Sequence, residues 1–136
     1  MQFKFNGEYH LSGGSATGYQ NFTCNDLLTA VMGSSYEMGI WTSISGFYNV
    51  RAWIDSNNDG EFTSNELVLS ENNILGPISS IITIPPETVL EIPLRLRIMA
   101  DKGLNLPCSH LTLGEAEDYS IVVSPIGSSP MTDFSW

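Results

Sequence analysis

The chain has 136 residues, and its 5 Lys and Arg against 15 Asp and Glu give a formal net charge of −10. With 42% hydrophobic and only 15% charged residues, the chain is apolar enough to bury one core, which excludes a disordered acidic tail. So few basic side chains cannot neutralise a run of phosphates, and the negative charge repels anionic headgroups, so we expect no nucleic-acid partner. We also expect no membrane insertion, because no apolar segment reaches the roughly 18 residues of a membrane span.

The first predicted element, residues 25–32, is ambiguous. Asn25 is a suitable N-cap for a helix, but the β-branched Thr29 and Val31 favour a strand equally well. The later apolar segments have strand length and are rich in Ile, Val, Leu, Tyr and Trp. These predicted strands cover residues 36–42, 48–54, 66–70, 80–84, 92–100 and 118–123.

Alternation within these segments predicts which face of each strand is buried. Leu94, Leu96 and Ile98 alternate with other side chains at the period of two that is typical of a half-buried strand. The sequence therefore predicts an all-β fold, an antiparallel β-sandwich of Ig-like or jelly-roll-like type. We expect residues 1–124 to form this single domain and residues 125–136, which contain Gly, Ser and Pro, to be a C-terminal extension or linker.

The strongest chemical signal is the segment 55–66, which matches every position of the calcium-loop pattern D-x-[DN]-x-[DN]-G-x5-E. Gly60 permits the sharp turn that lets the preceding oxygens converge on one point. The predicted oxygen ligands come from the side chains of Asp55, Asn57 and Asp59, the backbone carbonyl of Glu61, a water held by Thr63, and both carboxylate oxygens of Glu66. This number of hard ligands suits Ca²⁺ better than Mg²⁺, which prefers six near-octahedral positions with several waters.

The flanks of this loop are predicted strands rather than the helices of an EF-hand. The pattern therefore favours a structural ion that fixes a strand connection over a sensor that moves helices. The alternative is a metal-free hairpin turn rich in Asn, Asp and Gly.

A second acidic segment contains Glu115, Glu117 and Asp118. In extended geometry Glu115 and Glu117 lie on one face and Asp118 on the other. These carboxylates are candidates for a second cation site, for completing the first site, or for acid-base chemistry. Cross-strand pairing with Arg95 and Arg97 is the interpretation we favour.

The two cysteines, Cys24 and Cys108, lie far apart in the sequence and form no CxxC or zinc-knuckle spacing. They are either a long-range disulfide or two buried thiols.

Several motifs in order make the chain similar to the GEVED domain family. They are Gly18-Tyr19 with Phe22-Thr23, Trp53-Ile54-Asp55 with Asn57, Asp59-Gly60 and Phe62, then Leu96-Arg97-Ile98, Pro107-Cys108 and Gly114-Glu115-Ala116-Glu117-Asp118-Tyr119. The resemblance covers roughly residues 9 to 123. It implies a β-sandwich-like module of secreted or surface-exposed bacterial proteins, often attached to peptidases, adhesin-like repeats or sorting tails, without an established catalytic activity.

We therefore expect a non-catalytic, calcium-stabilised extracellular module that serves as an adhesion, spacer or assembly unit of a larger surface protein. The sequence contains no HExxH, GxSxG, GxGxxG or Walker motif. One alternative is a carbohydrate-binding module that uses exposed aromatic side chains. The candidates for such a platform are Trp41, Tyr48, Trp53, Phe62 and Tyr119. Another is a self-assembling filament subunit whose N-terminal segment 1–6 or tail 131–136 pairs with a neighbour's sheet edge.

Overall fold

The computed structural model describes residues 2–11, 19–24, 27–42, 44–103 and 114–126. These residues form ten β-strands and one short 3-10 helix. In chain order the strands are β1 (Gln2–Phe5), β2 (Glu8–Leu11), β3 (Tyr19–Asn21), β4 (Leu27–Val31), β5 (Ser35–Trp41), β6 (Tyr48–Ile54), β7 (Leu67–Ile74), β8 (Ile78–Thr83), β9 (Pro93–Asp101) and β10 (Gly114–Ser124), and the 3-10 helix η1 (Ser64–Glu66) precedes β7. The predicted all-β class is confirmed.

The strands form two sheets that enclose one core. The four-stranded sheet has the order β2-β1-β5-β8, and the six-stranded sheet has the order β3-β10-β9-β6-β7, with β4 also paired to β10. Buried side chains of both sheets belong to the same hydrophobic cluster, so the sheets pack face to face as a sandwich. Phe3 of the smaller sheet and Tyr119 of the larger one meet across this core, with ring centroids 5.0 Å apart.

The six-stranded sheet contains parallel as well as antiparallel strand pairs. Both β3 and β4 run parallel to β10, opposite residues 116–118 and 120–124 respectively. The two short strands therefore act as one interrupted edge strand along the 11 residues of β10.

Alternating burial explains the strand at residues 27–31. Leu28 and Ala30 are buried while Leu27 and Thr29 are exposed, which is the period-two pattern of a strand with one face on the core. The ambiguous segment is therefore a strand and not a helix. The predicted strand 48–54 has the same bounds in the structure, and the remaining predicted strands differ from the observed ones by a few residues at their ends.

Sequence reasoning missed the N-terminal hairpin. Asn6 and Gly7 connect β1 and β2 with φ angles of 49° and 88°, the two left-handed residues of a tight hairpin turn. The Asn-Gly pair between two apolar segments is the sequence signal for this hairpin. Because β1 lies between β2 and β5, the N-terminal segment of the filament alternative is already paired within its own sheet. The tail 131–136, the other segment of that alternative, lies outside the described residues.

Within the described part of the chain, none of the helices has the length and apolar character needed to cross a membrane.

Candidate metal centre

The segment 55–66 connects two antiparallel strands, as the sequence predicted. It leaves β6, turns at Gly60 with a φ of +84°, and enters β7 through η1. Asn58 also adopts a left-handed conformation, with a φ of 56°. Asn and Gly are the residues that tolerate this region best, so the local sequence suits a tightly folded loop.

Three carboxylates of this loop converge. Asp55, Asp59 and Glu66 each offer one oxygen, and these oxygens all lie within 4.8 Å of one another. Asp55 and Glu66 are 4% and 3% exposed, whereas Asp59 lies at the surface. The arrangement places the cluster at the edge of the sandwich, with one side open to solvent.

Backbone amides of the loop hold the two buried carboxylates in place. Asp55 Oδ1 accepts a hydrogen bond from the amide of Asp59 at 3.2 Å, and its Oδ2 accepts one from Gly60 at 2.9 Å. Glu66 Oε1 accepts from the amide of Thr63 at 2.9 Å. Both carboxylates are therefore oriented by the turn itself, before any ligand is considered.

Two further donors reach the other oxygen of Glu66. Its Oε2 accepts hydrogen bonds from Ser56 Oγ at 3.2 Å and from the amide of Asn57 at 3.3 Å. The role of Ser56 was not predicted, because the calcium-loop pattern leaves its position unspecified.

The electrostatics of the cluster are compatible with a bound cation. Burial raises the pKa of Asp55, and the nearby carboxylate of Glu66 adds to this effect against the backbone hydrogen bonds. The amide of Glu61 holds the pKa of the exposed Asp59 below its usual value. Segment 55–66 contains no Lys or Arg. A cation would therefore relieve the repulsion between the two buried carboxylates, and the all-oxygen donor set fits a hard divalent ion.

The other predicted ligands, from Asn57, Glu61 and Thr63, are not part of the cluster of three carboxylates. Asn57 belongs to the same loop and donates from Nδ2 to Asp59 Oδ2 at 3.1 Å. The side chain of Glu61 is exposed, and its predicted ligand atom, the backbone carbonyl, stays a prediction, as does the water on Thr63.

The loop is attached to the outer face of the six-stranded sheet by Phe62. Its ring centroid lies 6.3 Å from that of Trp53 on β6, and the guanidinium carbon of Arg97 on β9 lies 5.2 Å from it. The same guanidinium lies 5.7 Å from the ring of Tyr19 on β3. Aromatic and cation-π contacts thus join the candidate metal loop to three strands.

The second acidic segment divides between two faces, as predicted. Asp118 is fully buried on the outer face, opposite Arg97, where it binds Arg95 at 3.1 Å and Arg97 at 2.8 Å. Tyr19 also donates its hydroxyl to Asp118 at 2.6 Å, a contact that the sequence did not predict. The favoured arginine pairing is therefore confirmed for Asp118.

Glu115 and Glu117 lie on the core side of β10, opposite Ala100 and Ile98. Glu117 accepts a hydrogen bond from the hydroxyl of Tyr119, and Glu115 accepts one from Thr42, each at 2.6 Å. Glu115 and Glu117 therefore lie on the opposite face of β10 from Asp118 and its partners Arg95 and Arg97. The carboxylates of Glu115, Glu117 and Asp118 do not form one site. Among the described residues, the loop cluster is the group of carboxylates whose oxygens lie close enough together to hold a metal ion.

Cys24 is exposed and forms no disulfide with any described residue, so the alternative of a buried thiol is wrong for Cys24. Its predicted partner, Cys108, lies outside the described residues, so the disulfide stays a prediction.

Comparison with known protein families identifies the family of this chain. A family model described as the GEVED domain matches residues 49–122, more than half of the chain. Searches of the curated proteins and of the solved structures found no significant match. The matched region begins in β6, contains the candidate metal loop, and ends in β10 beyond Asp118. The chain therefore belongs to the GEVED domain family.

Proposed function

We propose that this chain is a calcium-stabilised, non-catalytic module of a secreted or surface-exposed protein. The observation that carries the proposal is the convergence of Asp55, Asp59 and Glu66 in a loop with the full calcium-loop pattern. Ca²⁺ takes six to eight oxygen ligands, and the loop offers carboxylate, amide and backbone oxygens in the expected order. Mg²⁺ is the poorer fit, because it holds several of its waters.

The position of the loop supports a structural role for the ion. The loop joins β6, an inner strand of the six-stranded sheet, to the edge strand β7. Both flanking elements are hydrogen-bonded strands, so ion binding has no pair of helices to open. The ion would instead hold the two strand ends together and neutralise the buried charge of Asp55 and Glu66.

An extracellular location suits the same chemistry. In millimolar calcium even a site of modest affinity is filled, and an ion at 100 times its dissociation constant stabilises the folded state by about 2.7 kcal/mol. We infer that the module acts as an adhesion, spacer or assembly unit, with other domains or protomers of a surface protein as partners. The acidity of the chain argues against nucleic acid as a partner.

Calorimetric titration of the intact chain with Ca²⁺ and with Mg²⁺ tests the proposal. We expect one calcium ion per chain with a dissociation constant below about 1 mM, weaker binding of magnesium, and loss of calcium binding in Asp55→Asn. Glu87→Gln, which removes the same charge from an exposed turn, is the matched control and should bind normally. Failure to bind calcium at millimolar concentration, or equal binding by Asp55→Asn, would contradict the proposal.

A further inference from the structure

The outer face of the four-stranded sheet carries a row of side chains that the proposed function does not use. The pairing register places Tyr9 of β2, Lys4 of β1, Gly39 of β5 and Ser79 of β8 directly opposite one another. Trp41 follows two residues after Gly39 and lies on the same face. This face is opposite to the core, and Tyr9 is 56% exposed on it.

Trp41 lies against the backbone of the sheet at Gly39. A Cβ atom placed on Gly39 would lie 3.0 Å from both Cη2 and Cζ3 of the Trp41 ring. Any larger residue at position 39 would therefore displace the ring. The absence of a side chain at Gly39 lets the indole rest on the strand, where it remains partly exposed.

Tyr9 extends this aromatic surface across β1. Its ring centroid lies 5.9 Å from that of Trp41, and the two rings are tilted by 40°. The pair is therefore a continuous, twisted aromatic surface rather than two isolated rings. We refer to Tyr9 and Trp41 as the aromatic platform.

The ammonium group of Lys4 lies over the Tyr9 ring, and other polar side chains lie near Lys4. Lys4 Nζ lies 5.3 Å from the centre of the Tyr9 ring and 3.8 Å from Glu37 Oε1. Glu37 Oε2 accepts a hydrogen bond from the hydroxyl of Ser79 at 2.8 Å. The charges of Lys4 and Glu37 cancel locally, so the platform is bordered by hydrogen-bonding groups without a net charge.

We propose that the aromatic platform binds a neutral saccharide. The C–H faces of a sugar ring stack on aromatic rings, and its hydroxyls donate to Glu37 and to the Ser79 oxygen and accept from Lys4. An acidic glycan is disfavoured by the net charge of −10 of the chain. An apolar peptide is disfavoured because it would desolvate the Lys4–Glu37 pair without replacing its hydrogen bonds.

Most of the aromatic residues that the sequence suggested for sugar binding are not available on this face. Tyr48, Trp53 and Tyr119 are buried, and Phe62 is packed between Trp53 and Arg97. Of the aromatic residues that the sequence suggested for a sugar platform, Trp41 is the one that lies on this face. Tyr9 was not suggested, because its position opposite Lys4 depends on the N-terminal hairpin.

The platform lies on the sheet that does not contain the metal loop, so the two proposals can be tested separately. Saccharide binding by a calcium-loop variant that still folds would leave the platform standing even if calcium binding failed. Conversely, calcium binding by a folded platform variant would support the metal site even if saccharide binding failed.

Affinity electrophoresis of the intact, calcium-loaded chain tests the inference, with a β-1,4-glucan, a β-1,3-glucan, a xylan and a mannan as neutral probes and alginate as the acidic one. We expect retardation by at least one neutral polysaccharide and about tenfold weaker binding in Tyr9→Ala and Trp41→Ala, which corresponds to about 1.4 kcal/mol. Gly39→Ala should also weaken binding, because it moves the indole without removing it. Phe47→Ala, at a side chain that is 60% exposed elsewhere, is the control.

Thermal unfolding of each variant confirms that it folds. Because the Tyr9 side chain is largely exposed, Tyr9→Ala keeps the test valid even if Trp41→Ala does not fold. The inference is overturned if none of the four neutral polysaccharides retards the chain, if only alginate does, or if folded Tyr9→Ala binds as well as the unmodified chain. Binding of a proline-rich peptide at the platform in place of the saccharides would also overturn it.

Discussion

Arg97 donates from Nε and Nη2 to the two carboxylate oxygens of Asp118, and both distances are 2.8 Å. This bidentate pair joins β9 to β10 on the outer face of the larger sheet. The same guanidinium of Arg97 also lies against the ring of Phe62, which belongs to the candidate metal loop. The acidic segment of β10 and the candidate metal loop are therefore parts of one contiguous structure, although they are far apart in the sequence.

Asp118→Asn should be strongly destabilising. Asp118 is fully buried, and neutralising it would leave Arg97 without its bidentate partner and would weaken the contacts of Arg95 and Tyr19. We expect the free energy of unfolding to fall by about 2–4 kcal/mol. This loss is slightly smaller than is typical for breaking a fully buried ion pair, because the Arg95 side chain is partly exposed to solvent. Urea denaturation measures it.

Glu37→Gln is the matched control for that experiment. It breaks the pair with Lys4, which lies at the surface, so its cost should be below about 1 kcal/mol. Equal losses in the two variants would contradict the structural role given to Asp118.

Gly60→Ala should weaken calcium binding through the backbone alone. A Cβ at this position would contact nothing within 4 Å, so the cost comes from the φ of +84°. We expect about 1–2 kcal/mol of destabilisation. Gly7→Ala is the control, because Gly7 has a φ of +88° and equally open surroundings in the N-terminal hairpin.

Both glycine variants should lose similar stability in chelator, as measured by thermal unfolding. Only Gly60→Ala should also lose calcium affinity by calorimetry. Normal calcium affinity in Gly60→Ala would show that the turn at Gly60 does not position the ligands.

Tyr48→Phe should change the response to alkaline pH. Burial raises the pKa of Tyr48, and its hydroxyl donates to the carbonyl of Gly76. A group with a raised folded-state pKa contributes stability below its unfolded pKa, about 10, and loses it as the pH rises through the folded value. The unmodified chain should therefore lose stability above about pH 10.

The phenylalanine variant lacks this titration. It should be less stable by about 1 kcal/mol at neutral pH, from the lost hydrogen bond, and its stability should decline less steeply above pH 10. Denaturant unfolding across this pH range measures both effects. Parallel pH profiles for the two proteins would contradict the assignment of Tyr48 to the alkaline transition.

Local patterns were sufficient to predict the β6–loop–β7 unit. The alternation in β6 and the spacing of Asp55, Asp59 and Glu66 lie within one continuous segment, so strand, turn and carboxylate cluster follow from short-range geometry. The division of Glu117 and Asp118 between two faces follows in the same way from the period of a strand.

Contacts between distant segments could not be predicted in this way. Tyr19 reaches Asp118 because β3 runs parallel to β10, and a single sequence does not reveal which strands become neighbours. Phe62 meets Arg97 because β6, which precedes the loop, pairs with β9. The aromatic platform also depends on long-range pairing, since Tyr9 and Trp41 become neighbours only after β1 is placed between β2 and β5.

The most direct test of the central claim is thermal unfolding of the intact chain in excess chelator and in millimolar calcium, with Asp55→Asn and Glu87→Gln measured beside it. The account predicts that calcium raises the unfolding midpoint of the unmodified chain and of Glu87→Gln by about 5–10 °C. It predicts no rise for Asp55→Asn. An unmodified chain that unfolds at the same temperature in calcium and in chelator would contradict the account and leave segment 55–66 as a metal-free turn.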